Sequence, residues 1–324
     1  MGLYYILDSF DVLHSDWRTI QSKVPSSSIF SSPEWSQTWW KHFGNGYELH
    51  LGAVKNNSRT VGIAPLITED NVAYFIGSID LCDYLDFIIE PGEEEIFFTT
   101  LLGNLAKQGI TSLDLGPLKQ ESSTLTVMAN MAKNLGWESS CIQEDISLLL
   151  DLPNTWEEYL QLLSGKQRHE LMRKMRRLNE AGEINFKSSD SYISEEMEIF
   201  LRLFRDSRED KADFLTPQRE QFIESIAGAM SDINALRLNI LEVNTSPIAA
   251  TICFDYQNDV YLYNSGYDPE YSWLSVGLIS KALCIKDSIQ RYKKRFDFLK
   301  GDETYKYHLG GRELALYRCV LNHY

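Results

Sequence analysis

The sequence predicts an α/β protein of two tandem domains with similar build, and three observations carry that prediction. Its 324 residues exceed what a single hydrophobic core usually holds. Strand-like alternation and helix-like periodicity follow one another along the whole chain, punctuated by Gly, Pro and Asn turns. The two halves also resemble each other. Gly62-Ile63-Ala64-Pro65 in one hairpin corresponds to Pro247-Ile248-Ala249-Ala250 in another. Each hairpin leads to a strand, a helix, and a strand ending in glycine, Ser112-Leu113-Asp114-Leu115-Gly116 and Arg295-Phe296-Asp297-Phe298-Leu299-Lys300-Gly301. A repeat of about half the chain reads as a duplicated domain, because solenoid repeats run at about 20–50 residues. The expected boundaries are 1–150 and 151–324.

In the first half, Tyr4–Leu7 reads as a strand and Asp11–Val24 as a helix. Ser32 caps a second helix with Pro33 at its first position, and Gly44 closes it. Strands follow at Tyr47–Val54 and Arg59–Ile67 about the turn Lys55-Asn56-Asn57-Ser58, then at Val72–Ile76 and Tyr84–Ile89. A helix runs from Pro91-Gly92 to about Gly109, then come the strand Ser112–Leu115, a helix over Ser122–Leu135 and a strand at Ile146–Leu150. The second half opens with one long helix, Trp156–Ala181, stopped by Gly182. Helices at Ile193–Arg208 and Pro217–Met230 precede strands at Ala235–Val243, Ile248–Tyr256 and Val260–Ser265. The helix Val276–Tyr292 and the strands Arg295–Leu299 and Leu314–Leu321 finish the chain.

Composition narrows the function classes. At 44% hydrophobic and 24% charged the chain reads as an ordinary folded protein. A net charge of −15 argues against DNA or an anionic membrane as a partner of the whole surface. Residues 1–150 carry 19 acidic and 8 basic side chains, residues 151–324 carry 27 and 23, so an anionic ligand belongs in the second half. Cys82, Cys141, Cys253, Cys284 and Cys319 form no CxxC pair, which argues against a disulfide framework or a zinc site and makes each a small buried hydrophobe. No signal peptide, myristoylation signal or membrane-spanning run is read, so the expected location is cytoplasmic, without membrane insertion.

Three segments suit chemistry. Lys166–Arg177 holds six basic residues and one acidic. On a helix, Arg168, Met172 and Met175 share one face, and His169, Arg173 and Arg176 the next. Such arginines can hold phosphate or carboxylate, or simply form a solvated face. Ser272-Trp273-Leu274-Ser275-Val276-Gly277 marks a strand-to-helix junction. A serine cap and Gly277 there would expose backbone N–H groups to a pyrophosphate. The matching helix of the first half begins Glu93-Glu94-Glu95, which repels one. Asp297 to Gly310 forms a turn rich in acid, base and phenol. Asp302 or Glu303 is a candidate base and Tyr305 or Tyr307 a candidate acid, unless Asp302 or Glu303 merely pairs with Lys306 to lock the turn.

Together with Ser32-Pro33-Glu34-Trp35, Trp39-Trp40 and Tyr261-Leu262-Tyr263-Asn264-Ser265-Gly266-Tyr267-Asp268, these segments resemble the acetyltransferases named after the cellulose-biosynthesis protein CelD. That group lies in the GNAT superfamily and is related to the FemAB aminoacyltransferases. The resemblance runs through nearly the whole chain and is most specific over Asp297–Lys306. It implies two tandem GNAT-like domains, each a mixed, mostly antiparallel sheet flanked by helices, the second carrying an acyl-CoA site. Two departures stand out: Val276 replaces a frequent proline, and the usual glycine-rich phosphate loop is reduced to Gly277.

The resemblance implies transfer of an acyl group, acetyl in the first instance, from acyl-CoA to an amine or hydroxyl of a small molecule or sugar, in exopolysaccharide or cell-envelope modification. Acetyl-CoA or another acyl-CoA would be the co-substrate, without metal. Tyr263, Asn264, Ser265, Leu274, Ser275, Val276 and Gly277 would hold it. Asp302 or Glu303 would act as base, Tyr305 as acid and Lys306 as orienting cation. Arg168, Arg173, Arg176 and Asp297 would meet the acceptor. One alternative is a FemAB-like enzyme taking its donor from aminoacyl-tRNA; another is a non-catalytic glycan-binding protein on a degenerate version of the fold. Trp35, Trp39 and Trp40 at helical spacing read as core rather than as a sugar platform.

Overall fold

In the computed structural model, which describes residues 2–78 and 80–323, the chain packs into two units. The first comprises the chain up to Asp145 together with residues from Leu314 onward; the second is Ile146–Glu313.

The first unit contains β1 (Leu3–Leu7), α1 (Phe10–Gln21), α2 (Pro33–Phe43), β2 (Glu48–Asn56), β3 (Arg59–Glu69), β4 (Val72–Phe75), β5 (Ile88–Ile89), α3 (Glu94–Lys107), β6 (Ser112–Lys119), α4 (Ala129–Met131) and the start of β7 (Trp137–Asp151). β1 to β4 are an antiparallel meander, and β6 then lies parallel to β4 after the α3 crossover. The Ser32 hydroxyl accepts from the Trp35 N–H at 3.2 Å and Pro33 opens α2, as the sequence indicates. Trp17, Phe30, Trp35, Phe97 and Phe98 are completely buried and Trp39 nearly so, which places Trp35 and Trp39 in the core, whereas Trp40 is only half-buried.

The second unit holds the end of β7, then α5 (Trp156–Leu162), α6 (Gly165–Glu180), β8 (Ile184–Ser189), α7 (Ser194–Ser207), α8 (Glu209–Phe214), α9 (Pro217–Asp232), β9 (Leu236–Val243), β10 (Ser246–Tyr256), β11 (Asp259–Tyr267), α10 (Val276–Gln290), β12 (Arg295–Lys300), α11 (Thr304–His308) and the start of β13 (Arg312–His323). β8 to β11 form a second antiparallel meander, and β12 returns parallel to β11 after α10. The two units therefore repeat one plan. Their last strands are exchanged: β6 is paired by β13 from the chain's far end, and β12 by β7.

Several elements differ from expectation. The helix expected over Trp156–Ala181 is two, because Leu163 is extended (ψ 143°) and Ser164 starts α6 with a reciprocal capping box to Gln167. Only Ile88–Ile89 of Tyr84–Ile89 is strand, pairing β3 at its edge. β8 and α8 were not read, and the turn after Gly301 contains the short helix α11. Cys141 and Cys319 are joined in a disulfide, which corrects their reading as buried hydrophobes; neighbouring strands bring them together across a sequence separation of 178 that hides the pairing. Cys82, Cys253 and Cys284 are free and buried.

Candidate functional site

The second unit opens a gap between two of its central strands. β11 pairs with β12 only at Asp259↔Arg295, Val260↔Phe296 and Tyr261↔Asp297, and both strands continue past the last pair. Each is bulged there. Opposite β10, Leu262 and Asn264 face Cys253 and Ile252, so Tyr263 is an extra residue. Opposite β7, Asp297 and Leu299 face Leu149 and Leu148, so Phe298 is extra, and Leu299 takes a φ of 65°. A bulge bends its strand and ends regular pairing, so two at one level part the strands. The gap leaves Tyr263, Asn264 and Ser265 half-buried on β11. Asp297, expected to meet substrate, is instead buried and accepts the Leu299 N–H at 2.8 Å, steadying the bulge.

α10 begins beside these elements. The expected serine cap is absent: Ser275 adopts left-handed backbone (φ 60°) and makes no side-chain bond to the helix. Its carbonyl accepts from the N–H groups of Leu278 and Ile279. Leu274 and Val276 are wholly buried in an apolar cluster with Leu178, Val243 and Ile248, so a ligand would meet their backbone rather than their side chains. A Cβ at Gly277 would lie 3.1 Å from the Tyr267 ring, so glycine here admits a close aromatic neighbour.

The turn from β12 into α11 is organised by Lys306. Its buried ammonium donates to the carbonyls of Leu299 (3.0 Å), Lys300 (2.5 Å) and Gly301 (3.1 Å), and pairs with Glu303 at 2.8 Å. Lys306 thus locks the turn and orients Glu303, and is not free to hold an acceptor. Burial resists the Glu303 charge, yet the Lys306 ammonium holds that carboxyl below its usual range. Asp302 is exposed. Burial raises the Tyr305 hydroxyl well above its ordinary value and keeps it protonated. Tyr307 donates to Glu313 at 2.6 Å, a bond that pushes it up to about 12.

On α6, Arg173 is committed to Glu170 by two hydrogen bonds of 2.8 and 2.7 Å, which removes it from the expected trio of free arginines. Arg177 donates to the Trp273 carbonyl at 2.7 Å. Arg168 and Arg176 make no ion pair among the described residues. Two cations escaped the sequence reading. Lys211 of α8 donates to the Ser265 carbonyl at 2.5 Å, and Lys281 of α10 to the Gly277 carbonyl at 2.8 Å. Burial, then the Arg208 charge, lowers Lys211 to about 8; burial, then the Lys211 charge, lowers Lys281 to about 7. The available signal was a lone lysine inside the apolar run Leu278-Ile279-Ser280-Lys281-Ala282-Leu283. Among the described residues no group of three or more His, Cys, Asp or Glu is placed to hold a metal, and no helix is long and apolar enough to cross a membrane.

Comparison with known proteins bears on the domain and the fold. Residues 165–307 match the family described as acetyltransferase (GNAT) domain, which covers both α10 and the Lys306 turn. The solved structure of FemX superposes with a TM-score of 0.69 at 11% identity, over 97% of this chain and 96% of that one. The structure of L-PGS from Bacillus licheniformis gives 0.56 at 9% identity, covering 92% and 94%. A tandem GNAT protein from the clavulanic acid biosynthesis pathway gives 0.52 at 11%, covering 98% of each. No curated protein sequence matches the chain. Residues 165–307 thus match a GNAT acetyltransferase domain, and the chain as a whole shares the fold of FemX and of the tandem GNAT protein.

Proposed function

We propose that this chain is a transferase that moves an acyl group from acyl-CoA to an amine or hydroxyl of a small-molecule or sugar acceptor. The observation that carries it is the gap beyond Tyr261 and Asp297, which opens beside the N-terminus of a 15-residue helix. The gap accommodates a slender extended donor arm along Tyr263, Asn264 and Ser265. The positive dipole end of α10, at Leu274–Gly277, suits its pyrophosphate. The acceptor's nucleophile bonds to the acyl carbon as its proton passes to Asp302 or Glu303. The carbon–sulfur bond breaks, and the departing thiolate takes a proton from Tyr305. Lys306 keeps the Glu303 carboxylate in place, and exposed Arg176 with half-buried Arg168 meets an anionic part of either substrate.

A second reading, in which aminoacyl-tRNA is the donor, is favoured by the cations of α6 that lack ion pairs. Calorimetric titration with acetyl-CoA, CoA and longer acyl-CoAs decides between them. Micromolar binding by the wild type that is lost in Gly277→Glu supports the acyl-CoA reading. If no CoA species binds while tRNA binds with steep salt dependence, that reading is replaced by the second.

A further inference from the structure

Two lysine ammonium groups sit at the gap without an acidic partner. Lys281 is only 7% exposed. Its Nζ donates to one backbone carbonyl and lies 4.7 Å from the centre of the Tyr305 ring. The Nζ of Lys211 likewise donates to one carbonyl, that of Ser265 on the stretch of β11 that β12 no longer pairs, and lies 4.9 Å from the Phe204 ring. An ammonium has three N–H donors, so each retains two. Neither makes an ion pair among the described residues. The other ionisable groups acting on them are Arg208, Asp210, Glu303, Cys253 and Cys284. Asp210 is paired with Arg208 and Glu303 with Lys306. The two thiols are free, buried and hydrogen-bonded to each other.

When both are protonated, two like charges, one buried and one half-buried, oppose folding, and their mutual repulsion adds to the cost. A ring face offsets part of it, but supplies no hydrogen-bond acceptor in the ring plane for four N–H donors. What relieves both is an oxyanion placed between them, accepting those donors. We propose that Lys211 and Lys281 form an anion-receiving site at the β11–β12 gap, which takes a carboxylate or phosphate carried by a substrate. The site is distinct from the α10 N-terminus, where the pyrophosphate is assigned, because Lys281 lies one helical turn further along. It also narrows the substrate class: the transferred acyl group or its acceptor carries a second, anionic end. Only the statement that a substrate supplies the anion rests on the transferase reading.

Succinate and methyl phosphate, titrated separately into the full chain and followed by calorimetry and by the lysine ε-methylene NMR signals, test this. At least one should bind saturably and move two lysine signals. Its affinity should fall more than about tenfold in Lys281→Met and in Lys211→Met, and stay unchanged in Lys133→Met. Tighter succinate assigns a carboxylate, and tighter methyl phosphate assigns a phosphate. Failure of both anions to saturate, or equal binding by wild type and both Met variants, overturns the site. If the Met variants do not fold, the wild-type signals decide: no pair of lysine resonances shifting together is the overturning result. Anion binding that persists while every CoA species fails to bind would leave this site standing and remove the acyl-CoA reading.

Discussion

Glu303 and Lys306 sit three residues apart in one turn and do different things. Lys306 is 2% exposed and donates to three carbonyls at the bulged end of β12 and the turn after it, those of Leu299, Lys300 and Gly301. Its replacement by Met removes the donor these carbonyls share, and a buried acceptor that loses its partner costs about 1–3 kcal/mol. Glu303 is about half exposed, and an ion pair at such a position contributes about 0–1 kcal/mol. The two variants should therefore separate. Lys306→Met lowers the urea-unfolding midpoint clearly. Glu303→Gln leaves it nearly unchanged and, if Glu303 is the base, lowers turnover by about 10²–10⁴-fold with little change in donor affinity. Full turnover in Glu303→Gln transfers the role to Asp302. The sequence displayed the acid, the phenol and the lysine of this turn, and the ion pair was one of its two readings. It did not display the three carbonyls, because backbone orientation at a bulge depends on pairing with a strand over a hundred residues away.

At the scale of elements, most of the second unit's strands and helices were legible from periodicity, and the two bulges were not. Bulges follow from register, and register is fixed by which side chains share a buried face rather than by local composition. The break between α5 and α6 was more accessible: Ser164-x-x-Gln167 is a capping signature, masked by apolar spacing that continues in phase across it. The seating of α7 on β11 rests on Gly266, where an added Cβ would strike the backbone of Leu203 and Phe204. A backbone cannot rotate aside as a side chain can, so Gly266→Ala must shift α7 or bend β11. Overpacking of this sort costs about 1–3 kcal/mol or more. The expected result is a marked fall in thermal midpoint together with weaker donor binding, because Ser265 and Tyr267 flank the substituted residue. A variant as stable as the wild type would mean that α7 is seated elsewhere than on the Gly266 stretch of β11.

Across the whole molecule, the duplication was visible in the sequence because both halves repeat the order hairpin, strand, helix, glycine-ended strand. The exchange of last strands was not, since a strand's partner is a long-range choice and Leu314–Leu321 reads the same whichever sheet receives it. The exchange has a thermodynamic consequence. Leu316, Cys319 and Leu321 of β13 are buried in the first unit, which closes only when the end of the chain returns to β6. The second unit, by contrast, contains its meander, β12 and the end of β7 within one continuous stretch, Ile146–Glu313. A fragment of residues 146–313 should therefore fold cooperatively and protect its β9–β12 amides from hydrogen exchange. A fragment of residues 1–145 should expose β6 as an unpaired apolar edge, aggregate, and regain protection in β6 when a peptide of residues 312–323 is added. The order of folding follows from the same pairing: the unit carrying the candidate site can close first, and the first unit waits for the last strand to be made. Protection in the isolated 1–145 fragment equal to that in the full chain would show that β13 is an accessory edge, and the two units would then be independent of chain order.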